Sequence, residues 1–354
     1  MNVLESVIAG ISPQDGEARL RATARLEQLT MPRWALGRLM DLAVDLAGMT
    51  GSLAPPVARK TVVPMAGDHG VARAGVSLYP QEVTLQMVHN FVRGGAGINV
   101  LARLAGARVV VVDMGVAGDL ADLAREGKIL SRRVAAGTRN FIEGPAMSRE
   151  EAVRSVMGGI ETALELGPDT DLFATGDMGI GNTTPSSAVV ALFSGAPVAE
   201  VTGCGTGLDE AQRFRKVAVI EKALALNRPD PKDPLDVLAK VGGFEIGGIA
   251  GLILGAASMK KPVLVDGFIS TAGALIAARL APLSCDYMVA SHRSMEQGHR
   301  IALECLGKKP LLDLDLRLGE GTGAALAMHL VEAAVRVMTE VATFAEASVS
   351  QAQT

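Results

Sequence analysis

Asp171-Leu-Phe-Ala-Thr-Gly-Asp-Met-Gly-Ile-Gly-Asn-Thr-Thr-Pro185 is the stretch that decides the fold. It begins as a short, mostly apolar β-prone run, passes through three glycines in the seven residues Gly176 to Asn182, and enters a helical pattern at Thr183. Strand, glycine turn and helix in succession form the unit of a parallel α/β sheet, and the unit recurs along the chain. Strands are expected at Thr61–Ala66, Ala107–Asp113, Asp171–Thr175, Pro262–Val265 and Tyr287–Ala290. Their near-continuous apolar character suits strands buried on both faces. The turns after them are Gly67-Asp68-His69-Gly70, Met114-Gly115, Gly176 to Asn182, Asp266-Gly267 and Ser291-His292-Arg293. In open sheets of this kind ligands sit beyond the carboxyl ends of the strands, so these turns are expected to line one cleft.

Outside this region the rhythm is helical. Ala18, Ala22, Leu26 and Leu29 fall on one face, and Pro32 is expected to start a second helix containing Trp34, Leu39 and Leu46. A last helix is expected from Ala324 to Phe344, with Leu326, Leu330, Val337 and Val341 on its buried stripe and Glu332, Arg336 and Glu340 on a solvated face. The fold class that follows is α/β: an open parallel Rossmann-like sheet flanked by helices, with a small helical domain built from both chain termini. The boundaries are 1–59 plus 306–354 for the helical domain and 60–305 for the large α/β domain. Arg228 to Pro234, which holds three prolines, reads as a turn between helices and not as a linker.

Composition narrows the function. The 354 residues are 49% hydrophobic and 20% charged, which excludes a disordered or collagenous chain. With 34 basic and 38 acidic residues the net charge is −4, which argues against a general nucleic-acid binder or a binder of anionic membranes. Cys204, Cys285 and Cys305 are too widely spaced for a paired zinc site and odd in number for a disulfide framework, which fits a reducing cytoplasm. The strongest apolar run, Ile246 to Met259, is short and interrupted by glycines, so no membrane span is expected. Gly is abundant, at 40 residues, while aromatic residues make up only 3%, so recognition is expected to rely on backbone more than on aromatic surface.

Five constellations are candidates for chemistry. Gly176 to Pro185 offers free backbone N–H groups and the hydroxyls of Thr183 and Thr184 to an anion, although it is neither a Walker loop nor GxGxxG. Gly203-Cys-Gly-Thr-Gly207 precedes a helix with Arg213, Arg215 and Lys216, a second arrangement suited to phosphate. In Leu316-Arg-Leu-Gly-Glu-Gly-Thr-Gly323, Glu320 stands between glycines before a helix, as a general base can or as an ordinary helix-entry acid does. His292, Glu296 and His299 have the spacing of a metal face, but His292 adjoins a strand end, which favours a cap with solvated side chains. Asp68-His69 has no nucleophile motif beside it and reads as loop structure or ligand lining.

Taken in order, eight segments resemble the nicotinate-nucleotide:dimethylbenzimidazole phosphoribosyltransferase family over most of the chain. They are Ala66 to Val71, Gly75 to Thr84, Arg93 to Ala102, Gly137-Thr-Arg-Asn140, Met178 to Pro185, Val265-Asp-Gly-Phe268, Ser291-His-Arg293 and Leu316 to Gly323. The resemblance implies transfer of phosphoribose from nicotinate mononucleotide to a benzimidazole with inversion at C1′, by a homodimer with no metal or redox cofactor. It implies that Glu320 is the base and that Asp177 is a second active-site carboxylate. It also implies a base pocket on Ser77, Tyr79, Gln81, Gln86, Met87 and Leu318. On the phosphoribose and nicotinate side it implies Gly179, Gly181, Asn182, Thr183, Gly203, Gly205, Thr206, Gly207, Lys216, Asp266, Ser291 and His292. Asp177 stands where the family usually has Glu, and Cys204 where it commonly has Arg. The alternatives are a nicotinamide-dependent oxidoreductase, for which no strand-GxGxxG-helix unit is present, a non-catalytic nucleotide- or base-binding homologue, and a transferase preferring another azole or a phenolic base.

Overall fold

The computed structural model describes residues 3–205 and 209–350. Seven strands form one parallel sheet: β1 Lys60–Gly67, β2 Ala107–Val109, β3 Val112–Gly115, β4 Leu130–Ser131, β5 Leu172–Met178, β6 Val263–Val265 and β7 Met288–Ala290. The order is β4-β3-β1-β5-β6-β7, with β2 also on β1. β2 and β3 lie along the same edge of β1 in one continuous register, Val62 opposite Val109 and Met65 opposite Val112. Counted as one strand, they give the doubly wound order 3-2-1-4-5-6, whose reversal point lies between β1 and β5.

All five expected strands are present, with differences at their limits. Ala107–Asp113 is broken at Val110–Val111, where the Val110 N–H still donates to the Val62 carbonyl at 2.9 Å. β5 runs on to Met178, so Asp177 sits on a strand end opposite Met65 and not in a free loop. The two-residue β4 was not expected and is too short to leave a periodic signal.

The Phe244–Ser258 helix lies on β1, β3, β5 and β6 and against the Arg149–Leu166 helix. These two helices touch through their backbones. A Cβ on Gly159 would fall 1.9 Å from the Gly248 carbonyl oxygen, and one on Gly251 would fall 1.9 Å from the Val156 oxygen. Glycine is therefore the residue that allows this crossing.

At the N-terminus the Gly16–Leu26 helix buries Ala18, Ala22 and Leu26, capped by Asp15. The second helix begins at Arg38, not at Pro32. Trp34 takes φ +55° in an intervening turn closed by Ala35 N–H to Pro32 and Gly37 N–H to Trp34, and that backbone cannot continue a right-handed helix.

The last helix is Thr322–Glu340, shorter at its C-terminus than expected. Its buried face is Ala324, Ala327, Met328, Val331, Ala334, Val335 and Met338, while Leu326, Leu330, Val337 and Val341 are only half-buried. Small residues face inward because the helix packs closely against β5, β6 and the Gly97–Leu104, Arg38–Thr50 and Gly16–Leu26 helices. Glu332 is not on a freely solvated face. It accepts from Arg336 and, at 2.8 Å, from the buried Lys60 ammonium at the start of β1. Beyond Glu340 the chain bridges back to the N-terminal segment, Leu29 opposite Thr343, with Thr30 N–H donating to Ala342 at 3.0 Å.

Candidate active site

The reversal point of the sheet places the ends of β1 and β5 side by side, and the polar residues gather there. Asp177 is buried, and its Oδ2 accepts from Asn182 Nδ2 at 2.9 Å, while its Oδ1 has no partner within the protein. Burial, with the nearby carboxylates Asp266, Glu245 and Glu320 adding repulsion, pushes its pKa up to about 8. Asn182 stands at the entrance to the Thr183–Ser194 helix. The same glycine turn is tied to the Glu82–Arg93 helix, because the Ile180 N–H donates to Thr84 Oγ1 at 3.1 Å.

Thr183 connects the two glycine loops. Its Oγ1 accepts from Lys216 Nζ at 2.6 Å, and a Cβ on Gly205 would sit 3.2 Å from that hydroxyl and 3.4 Å from that ammonium. Lys216 is buried in the Glu210–Asn227 helix. Burial lowers its pKa to about 8, opposed chiefly by nearby Glu296. Beside it lies a cavity of about 580 Å³ bounded by Gly203 to Gly205, Met295 to Gln297, Asp315 and Arg317. Burial raises the Glu296 pKa, opposed by Lys216 and Arg317. Thr206 and Gly207 lie outside the described residues.

Glu320 is built into an unusual backbone. Gly319, Glu320 and Gly321 take φ +82°, +62° and +95° in succession, a path open to glycine and costly for a side chain. A Cβ on Gly321 would also meet Val62 Cγ1 at 2.6 Å. Glu320 Oε2 accepts from the Ile98 N–H at 3.1 Å, in the first turn of the Gly97–Leu104 helix. Burial raises its pKa above the ordinary carboxylate range, with Asp266 adding to the rise and the Ile98 hydrogen bond opposing it.

The residues expected around a base lie on two segments, the 77–87 turn and helix and the turn before Glu320, and differ in exposure. Leu318 is 60% exposed, and its Cδ2 lies 2.9 Å from where a Gly97 Cβ would be, next to Glu320 Oε2. Ser77 and Tyr79 are in the turn before the Glu82–Arg93 helix, where Ser77 Oγ accepts the Tyr79 N–H, and Tyr79 is 53% exposed. Gln81 precedes that helix, Gln86 is exposed on it, and Met87 is half-buried against the core. Val76 faces Gly181, which brings this turn to the glycine loop.

Asp266, Ser291 and His292 are at most 2% exposed and bond to one another. The Asp266 carboxylate accepts from Gly321 N–H at 3.1 Å and Ala324 N–H at 2.9 Å. Ser291 Oγ donates to the Asp266 carbonyl at 3.2 Å and lies 3.0 Å from His292 Nδ1, which is therefore the protonated nitrogen of that contact. His299 accepts from Ser294 N–H at Nδ1 and meets Thr271 at Nε2, so neither nitrogen is free for a metal. Its burial lowers its pKa to about 3.

Sequence reasoning missed Glu245. It is fully buried at the start of the Phe244–Ser258 helix, with Oε1 2.9 Å from Nε2 of the equally buried His69. The signal was present in the sequence, since Glu245 is the only charged residue in that helix. Asp68 in turn accepts the Ala117 N–H at 2.7 Å and holds the turn after β3.

A doubly wound sheet with its polar residues gathered at the reversal point is an α/β ligand-binding architecture, and the phosphoribosyltransferase family model matches residues 11–349. The nicotinate-nucleotide–dimethylbenzimidazole phosphoribosyltransferase of Syntrophotalea carbinolica is 66% identical over 99% of both chains, and that of Desulforudis audaxviator is 57% identical over 100% of this chain and 99% of its own. The crystal structure of CobT from Thermus thermophilus superposes with a TM-score of 0.91 at 48% identity, covering 95% of this chain and 100% of that one. The chain belongs to the nicotinate-nucleotide–dimethylbenzimidazole phosphoribosyltransferase family.

Proposed function

We propose that the protein transfers phosphoribose from nicotinate mononucleotide to 5,6-dimethylbenzimidazole or a related lower-ligand base, forming α-ribazole 5′-phosphate and nicotinate for cobamide assembly. The observation that carries this reading is the Glu320 carboxylate, buried, fixed through Oε2 by the Ile98 N–H, and raised toward a working range for proton transfer. The base nitrogen lone pair attacks C1′ on the face opposite nicotinate. The C1′–N bond breaks with its electron pair returning to the pyridinium nitrogen, which leaves neutral at that atom and needs no general acid. The proton on the second benzimidazole nitrogen passes to Glu320.

In this reading Lys216, Thr183 and the glycine loops bind the 5′-phosphate, with Arg317 at the mouth of their cavity. The base lies against Ser77, Tyr79, Gln81, Gln86, Met87 and Leu318, with Asp177 beside the sugar. The carboxyl of Asp177 holds its proton at neutral pH, which limits the negative charge next to Glu320. The same proposal takes the protein to be a cytoplasmic homodimer, with a helical domain of residues 1–59 and 306–354 beside an α/β domain of residues 60–305. No helix among the described residues is long and apolar enough to cross a membrane. Incubation of the purified protein with nicotinate mononucleotide and dimethylbenzimidazole is expected to release nicotinate and form α-ribazole 5′-phosphate, read by product analysis. Absence of product with any azole or phenolic acceptor overturns the proposal.

A further inference from the structure

Glu320 lies two residues before the Thr322–Glu340 helix, whose N-cap is Gly321, a residue with no side chain to cap it. The first N–H groups of a helix need acceptors, and here they find one far away in sequence. Asp266, following β6, accepts from Gly321 through Oδ2 and from Ala324 through Oδ1. Its own N–H donates to Thr175 Oγ1 on β5 at 3.0 Å. Its carboxylate is 3.7 Å from His292 Nδ1, and Ser291 holds its carbonyl. Both oxygens are therefore engaged, the residue is 1% exposed, and no face of it is left for a phosphoribosyl group.

We infer that Asp266 is a positioning residue: it caps the Thr322–Glu340 helix from across the sheet and so fixes the left-handed turn that aims the Glu320 carboxylate. The sheet, through Thr175 and β6, sets Asp266, and Asp266 sets the backbone on either side of the base. This rests on the reaction assigned to Glu320 above and takes Asp266 out of the group expected to touch phosphoribose.

Asp266→Asn keeps one acceptor and turns an N–H donor toward another N–H. It is expected to lower kcat about 10- to 100-fold, the size of a small misplacement of a reacting group. KM for nicotinate mononucleotide should stay within about threefold, because no contact to that substrate is removed. The titration midpoint of the Glu320 carboxyl, followed by carbon NMR and assigned by its loss in Glu320→Gln, should move to lower pH, since Asp266 contributes to its rise. Thr175→Val loosens Asp266 without removing its charge, so kcat should fall by less with KM and the Glu320 midpoint unmoved, and this variant decides the matter if Asp266→Asn does not fold. A KM rise of about tenfold or more with kcat intact makes Asp266 a substrate contact and overturns the inference, as does an unchanged kcat in both variants. Wild-type protein without turnover overturns the assigned reaction and the positioning role with it, whereas an active wild type with unaffected variants overturns the positioning role alone.

Discussion

The two ends of the cleft hold ionisable groups of opposite kind, and burial shifts their pKa values in opposite directions. At one end burial drives Asp177, Asp266 and Glu320 toward the neutral form, Asp177 to about 8, with Asp266 and Glu320 adding to the rise of Asp177 and Asp266 adding to that of Glu320. At the other end Lys216 is driven toward the neutral amine, also to about 8, but Glu296 opposes the shift. Only Asn182 and Thr183 separate the two ends. Like charges brought together out of water store protons, whereas a cation with an opposite charge nearby remains able to receive an anion. In the proposed reaction one fold thus provides a proton acceptor at Glu320 and a phosphate site at Lys216, each set by the helix that carries or follows it.

The contrast breaks most sharply at Glu320. Glu320→Gln removes the proton acceptor and is expected to lower kcat by about 10²- to 10⁴-fold, with melting temperature and binding of nicotinate mononucleotide retained. In the wild type, kcat should fall as pH drops through the Glu320 pKa, which lies above the ordinary carboxylate value. At the cation end, Lys216→Met is expected to raise KM for nicotinate mononucleotide about 10- to 100-fold through loss of a charge-assisted hydrogen bond, with kcat the less affected parameter. Steady-state kinetics with both substrates varied separates the two outcomes.

The smallest effect at any one step of pH is on stability. Asp177 has a folded pKa of about 8 and a lower unfolded one, so its contribution is full below the unfolded value and is lost as pH rises through about 8. Asp177→Asn cannot ionise. Its stability relative to wild type should therefore improve between about pH 4 and about pH 8, by on the order of 1 kcal/mol per pH unit, and hold constant above that. Melting curves across this range measure it, and a constant difference would show that Asp177 is ionised in the folded protein.

What the sequence made legible was whatever is local. Buried parallel strands are apolar runs, so β1, β5, β6 and β7 were visible, and the turns after them were visible as glycine clusters. The break between β2 and β3 was not, because Val110 and Val111 are as β-prone as their neighbours and the interruption belongs to pairing with β1. The inward face of the last helix was misjudged because large apolar residues were assumed to be the buried ones, whereas its close neighbours admit Ala324, Ala327 and Ala334. Glu320 was legible as a carboxylate among glycines. Its partners Ile98 and, through the backbone, Asp266 lie 222 and 54 positions away, distances over which residue spacing carries no signal. The Lys216–Thr183 contact is of the same kind, two recognisable motifs whose meeting only the fold defines.

The last helix also works as a lever. At its start stand Asp266 and the turn of Glu320, and at its end Arg25 Nε donates to the Met338 carbonyl at 2.7 Å while Thr30 and Leu29 hold the chain just beyond. Its 19 residues span about 28 Å at the helical rise. Over that arm a tilt of about 2° at the far clamp moves the near end by about 1 Å, which is the displacement at which reactivity drops about a hundredfold. Arg25, Leu29 and Thr30 thereby share in holding the helix that leads from the Glu320 turn.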